Sequence, residues 1–146
     1  MLSPKEIAAD PMIDSIEVLI KANREVKCVA SVIYDEARGE PLKGKIAVAA
    51  VVKNRVESNT FPNTACGVVY HQMKKGICQF TGMCKSKSKK FDQESLEVAY
   101  KFWIKGTYKD PTQGATHFYN PSKVSYQPKW STVYARTARI GKHVFA

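Results

Sequence analysis

Asp35 and Glu36 stand side by side in the stretch SVIYDEARGEPLKGKIAVAAVVKNRV, residues 31–56, whose pattern is otherwise that of a buried core. A carboxyl in such a place is costly for structure and useful for chemistry. Positions 29, 32, 33 and 36 fall on one helix face, because i, i+3, i+4 and i+7 stack. Val29, Val32 and Ile33 make that face apolar, and Glu36 ends it. Asp35 is turned about 100° away, toward Ser31 and Arg38, where a solvated carboxylate is comfortable. Burial and the negative end of the helix dipole both disfavour the charged form of Glu36, so its pKa is expected to rise. A general acid working at neutral pH needs that rise. The competing reading has Glu36 reach solvent or pair with Arg38 or Arg55.

Other reactive side chains form no constellation of their own. Cys28, Cys66, Cys78 and Cys84 include no C-x-x-C pair, and His71, His117 and His143 are scattered, so no metal site and no cofactor are expected. No spacing supports Cys66 or Cys78 acting as a thiol nucleophile with His71 or His117. Cys28 falls on an apolar helix face and reads as a small buried hydrophobe. Cys78 and Cys84 flank CQFTGMC, and they form a local disulfide in an oxidising compartment or stay thiols in a reducing one.

The elements that must hold these residues are mainly helical. Ser3, Pro4 and Glu6 read as a capping box opening a first helix, interrupted at Asp10-Pro11 and running to about Ala22. A second helix is expected from about Val26 to Arg38, ended by Gly39, and a third from about Pro41 to Val56. The run Ile46–Val52 is apolar all round, as befits a central buried helix. Asp92 caps a further helix to Lys105, with an inward stripe of Leu96, Ala99, Tyr100, Trp103 and Ile104. Turn formers and aromatics follow, and the tail RTARIGKHVFA reads as a strand or edge segment.

The chain has 146 residues, enough for a single domain with its own core: residues 1–25 as a helical segment packed on a core of residues 26–146. The longest purely apolar run, Ile46–Val52, is far below the ~20 residues of a membrane span, so no membrane insertion is expected. The acidic and basic residues near the N-terminus do not read as a secretory signal, and a cytoplasmic origin is expected. Twenty-three Lys and Arg against 13 Asp and Glu give a net charge of +10, which favours polyanionic partners. The cluster KSKSKK, Lys85–Lys90, reads as a solvated loop. Without a groove-reading helix or RNA-binding signature beside it, nucleic acid is not expected as a partner.

The order of IYDEARGEPLKGKIAVAAVVKNRV, FPNTACGVVY, CQFTGMC and ATHFYNPSKV resembles the SleB-type cell wall hydrolase family, the spore cortex-lytic enzymes and their relatives. The resemblance runs from about Val26 to the C-terminus. It implies an α+β, lysozyme-like, goose-type lytic transglycosylase domain with a small β or irregular part. The family's catalytic glutamate is the first of E-A-R-G-E, which is Glu36 here. Glu40, the second, is expected to organise its turn by accepting backbone N–H groups. Gln79 and Phe80 match the family's Q-F motif and are expected to bind substrate, although core packing is an equal reading for Phe80. Tyr119 and Asn120 match the F-Y-N motif: Tyr119 is expected near the catalytic carboxyl, and Asn120 either lines the cleft or shapes a turn. The Lys/Ser cluster replaces what is often an acidic-glycine continuation, which makes the cleft rim more basic.

The resemblance further implies cleavage of the β-1,4 bond between N-acetylmuramic acid and N-acetylglucosamine in peptidoglycan, with 1,6-anhydro-muramic ends. Muramidase hydrolysis of the same bond is the alternative and would need Asp110, Asp92 or a held water as its second group. A non-enzymatic basic module that binds wall polymer is the alternative of a different class. A compact basic catalytic domain of this kind is similar to a phage endolysin: a monomer made in the host cytoplasm, released by a holin and acting on the wall or periplasm.

Overall fold

The computed structural model describes residues 11–85, 90–125 and 127–146. The Ser3–Glu6 capping box and most of the Lys85–Lys90 cluster lie outside them. Helix α1 spans Pro11–Ala37, α2 Leu42–Glu57, α3 Ala65–Val69, α4 Thr81–Lys85 and α5 Gln93–Trp103, with a 3₁₀ turn at Lys129–Thr132. The β component is a hairpin of β1 (Gln72–Lys74) and β2 (Ile77–Cys78), and a three-stranded sheet of β3 (Phe118–Tyr119), β4 (Ala138–Ile140) and β5 (His143–Phe145). That sheet is antiparallel in the order β3-β5-β4, with Phe118 opposite Phe145 and Ile140 opposite His143.

Helix α2 is the centre of the core. Ala47 to Val52 have no solvent exposure, and α1 and α5 pack on α2 and on each other. Val29, Val32 and Ile33 are likewise fully buried, so the stripe read from the sequence faces inward. Gly39, at φ +84, closes α1 in the left-handed region that suits glycine. That abrupt stop sets Glu36 in the last turn of α1, where the chain reverses into α2.

Three expectations are corrected. The separate helices ending at Ala22 and starting at Val26 are one continuous helix, α1, because residues 22–26 contain no Gly or Pro to break it. Asp92 does cap α5, accepting from the Ser95 amide at 2.8 Å. The inward face of α5, however, is Ser95, Val98, Ala99 and Phe102, while Tyr100 and Ile104 are 43% and 45% exposed. Two apolar stripes compete on that helix, and packing against α1 and α2 selects the one with the smaller residues at its start. Finally, Cys28 is bonded to Cys66 across 5.2 Å between Cα atoms rather than being a lone hydrophobe. A second disulfide joins Cys78 to Cys84, Cα atoms 5.7 Å apart, and bridges β2 to α4.

Candidate active site

The end of α1, the α2 terminus, the β2–α4 junction, β3 and the 3₁₀ turn enclose a cleft of about 360 Å³, within the ~300–1,000 Å³ range of small-molecule sites. Glu36, Gln79, Phe80, Tyr119 and Asn120 all line it, although 84 residues separate the first from the last.

Glu36 carries the most distinctive electrostatics. Burial pushes its pKa up to about 7, the negative charge of Asp35 adds to the rise, and Lys123 opposes it. A hydrogen bond between the two carboxyls also favours the protonated form of Glu36. Asp35 is therefore not the bystander that the helical wheel suggests. Its carboxylate rests against Gly82, where any added Cβ would collide with it. Among the described residues no ion pair joins Glu36 to Arg38 or Arg55; Arg38 instead lies over the Tyr34 ring at 4.7 Å.

Phe80 serves both of its expected roles. It is 4% exposed and part of the core, yet its ring forms the cleft wall 5.9 Å from that of Phe118. The neighbouring Gln79 is held through its backbone, whose amide donates to His71 at 2.9 Å, and lines the cleft at its polar side. Asn120 shapes a turn while lining the cleft: its Oδ1 accepts from the Ser122 amide at 3.0 Å and hydroxyl at 2.6 Å. The Tyr119 ring stands edge-on to Trp130, centroids 5.5 Å apart. Glu40 faces the β4–β5 turn rather than its own, with Oε1 accepting from the Lys142 amide at 3.4 Å and lying 3.6 Å from His143 Nδ1.

Sequence reasoning missed several residues here. Arg55 was considered only as an ion-pair partner for Glu36, yet it is 4% exposed and stands at the cleft wall. Its Nε donates to the Thr116 carbonyl at 2.6 Å, and its guanidinium sits 4.8 Å and 5.1 Å from the Phe61 and Phe80 ring centres. Burial lowers its pKa to about 10, so it remains a cation at neutral pH. His143 also lines the cleft; burial lowers its pKa, Glu40 raises it and Lys123 lowers it, with a net shift downward that leaves it neutral at pH 7. Trp130 and His117 complete the wall, rings 4.9 Å apart, and His117 is held below the usual imidazole range by burial and by Arg55. Only Trp130, an aromatic among turn formers, carried a signal of its own.

The carboxylates that hydrolysis could have enlisted are committed elsewhere. Asp92 caps α5, and its pKa is lowered mainly by the Ser95 hydrogen bond. Asp110 is pushed up by burial but more strongly down by hydrogen bonds from Thr112, Asn54 and Gly114, at 2.6–2.9 Å. Both are staples of the fold. The described residues contain no cluster of His, Cys, Asp and Glu suited to a metal ion.

A mainly helical α+β domain with one protonatable carboxyl in an aromatic, basic cleft is a lysozyme-like fold. This chain belongs to the Cell Wall Hydrolase family, whose profile matches residues 39–146. Glu36 lies just ahead of that match, so its assignment rests on the E-A-R-G-E resemblance and on geometry. The chain is 34% identical over 124 residues to a spore cortex-lytic enzyme of Halalkalibacterium halodurans and 32% to one of Bacillus subtilis, in each case over 85% of its own length. It spans only 35% and 38% of those two relatives. It is also similar to the crystal structure of the catalytic domain of the Bacillus cereus SleB protein, at 35% identity and TM-score 0.68, covering 83% of this chain and 88% of that one. Similarity to the catalytic domain of the germination-specific lytic transglycosylase SleB from Bacillus anthracis is comparable: 33% identity and TM-score 0.69, over 83% and 92%.

Proposed function

We propose that this chain cleaves the β-1,4 bond between N-acetylmuramic acid and N-acetylglucosamine in peptidoglycan as a lytic transglycosylase. The observation that carries the reading is Glu36: one carboxyl raised to about 7 in the cleft, with Asp92 and Asp110 bound up in the fold. Protonated Glu36 donates to the glycosidic oxygen as the bond from muramic C1 breaks and an oxocarbenium-like state develops. The carboxylate so formed then takes the proton of the muramic 6-hydroxyl as that oxygen attacks C1. The ring closes to a 1,6-anhydro sugar, Glu36 regains its proton, and no water is consumed.

Mass spectrometry of products from purified sacculi tests this directly. Ends of 1,6-anhydro-muramic acid are expected, and Glu36→Gln should abolish them while keeping the fold. Reducing muramic ends would replace the reading by hydrolysis, and no release by wild type would leave a wall-binding module.

In the same reading the protein works outside the reducing cytosol, as a phage endolysin released by a holin. Its two disulfides support such a place of action. Expression in a bacterial host should then cause lysis with a co-expressed holin and none without it.

A further inference from the structure

A second groove, of about 340 Å³, opens off the cleft and shares Tyr119 and Trp130 with it. The two rings line both cavities, so the groove adjoins the cleft across them. On the cleft side that wall continues through His117, which is nearly parallel to Tyr134 at 5.0 Å. On the far side the groove is framed by Arg136, Arg139 and Gln127, and both arginines are exposed. Among the described residues no ion pair engages either of them.

The sequence accentuates that polarity. Asp110 is the last acidic residue of the chain; residues 111–146 hold Lys123, Lys129, Arg136, Arg139 and Lys142 and no Asp or Glu. Ala146, which also lines the groove, has its backbone oxygen engaged by the amides of Thr116 and His117 at 3.0 Å and 2.9 Å. Two guanidiniums beside an aromatic wall suit a ligand that is apolar along its length and carries separated carboxylates, since each guanidinium can meet a carboxylate through paired N–H donors.

Resting on the reading of the cleft as a glycan site, we propose that this groove binds the stem peptide hanging from the muramic sugar, with Arg136 and Arg139 taking its carboxylates. The stem is the anionic, partly apolar substituent nearest to the bond in the cleft. The arginines then determine which stretches of glycan the protein prefers: those that still carry peptide.

The test compares two soluble substrates made from sacculi freed of phosphodiester polymers, one with stems intact and one with stems removed by an amidase. Arg136→Ala with Arg139→Ala should raise KM on stem-bearing glycan roughly tenfold, the scale of one or two partly exposed charge-assisted contacts, and leave kcat near wild type. On stripped glycan the double variant should match wild type, which also serves as the check that it folds. Arg136→Lys with Arg139→Lys should recover part of the loss. Equal behaviour of variant and wild type on stem-bearing glycan would overturn the proposal while leaving the cleft reading intact, and so would an equal loss on both substrates. Wild type inactive on both would overturn the cleft reading and this inference with it.

Discussion

At the scale of single residues, Glu36 obliges the protein to trade stability for chemistry. Its carboxyl is more acidic in the unfolded chain, near 4.5, than in the fold, near 7, so the folded state holds the proton more tightly. Between those values the native state binds more protons, and stability falls as pH rises. Ionising Glu36 therefore costs about 3 kcal/mol at most by pH 8. Glu36→Gln should raise the thermal midpoint at pH 8 and lose that advantage near pH 4, while activity drops by orders of magnitude; a thermal melt at both pH values checks the sign. Activity of the wild type, if Glu36 must start protonated, should be present below about 7 and fall as pH rises through it. Asp35→Asn removes the neighbouring negative charge, so this alkaline limb should move to lower pH in a kcat/KM profile, a shift that a merely structural residue would not produce. Glu36 was legible because one helix face suffices to single it out. Asp35 was placed rightly, exposed beside Ser31 and Arg38, but its coupling to Glu36 was not legible because the wheel tracks Cα directions and ignores how two adjacent carboxyls reach each other. Arg55 and His143 were not legible as cleft residues, and Trp130 only as an aromatic among turn formers, since only tertiary packing brings them to the cleft.

Elements show the same division between local and distant information. The stop at Gly39, the cap at Asp92 and the buried α2 run were legible, because each depends on a few neighbouring residues. The face of α5 was legible in part: Ala99 is buried and Leu96 and Trp103 pack on the core, but the buried face is centred on Val98 and Phe102, which only the neighbouring helices decide. Of the three-stranded sheet, β4 and β5 fall in the tail read as a strand, whereas β3 escaped: it is two residues long and pairs with β5 more than twenty residues later, too short and too remote for any period to appear. The two disulfides allow a prediction at this scale. Cys28–Cys66 ties α1 to α3 across 38 residues, whereas Cys78–Cys84 closes only 6. On chain-entropy grounds they contribute about 4 and about 2 kcal/mol respectively. Cys78–Cys84, however, brackets Gln79 and Phe80 in the cleft wall. Replacing the first pair by serine should thus lower the thermal midpoint more, and replacing the second should raise KM more. A melt and a Michaelis curve on each variant would separate the two effects; a single ranking in both would refute the division.

For the whole molecule, charge is the property that composition revealed most directly, and the structure gives it a direction. A net charge of +10 is spread over a chain whose last 36 residues, which supply β3, the 3₁₀ turn and the final hairpin, hold no acid at all. The cleft opens among those elements, with Lys123 and Arg55 on its walls and Glu36 about half protonated at neutral pH. An anionic polymer is drawn toward that side, and on arrival it meets a carboxyl that repels it less than an ordinary glutamate would. Long-range attraction of this kind decays over about 10 Å at 0.1 M salt and about 3 Å at 1 M. Attraction governs encounter, whereas proton transfer between groups in contact within the cleft is little screened by bulk ions. Salt should therefore act on capture and spare chemistry: raising it from about 0.05 to 0.5 M should increase KM on sacculi by roughly tenfold and change kcat little. Turbidity clearance measured over a salt series provides the curve. A kcat that falls in step with the rise in KM would mean that salt disturbs the cleft itself, and that the positive face is not what gathers the substrate.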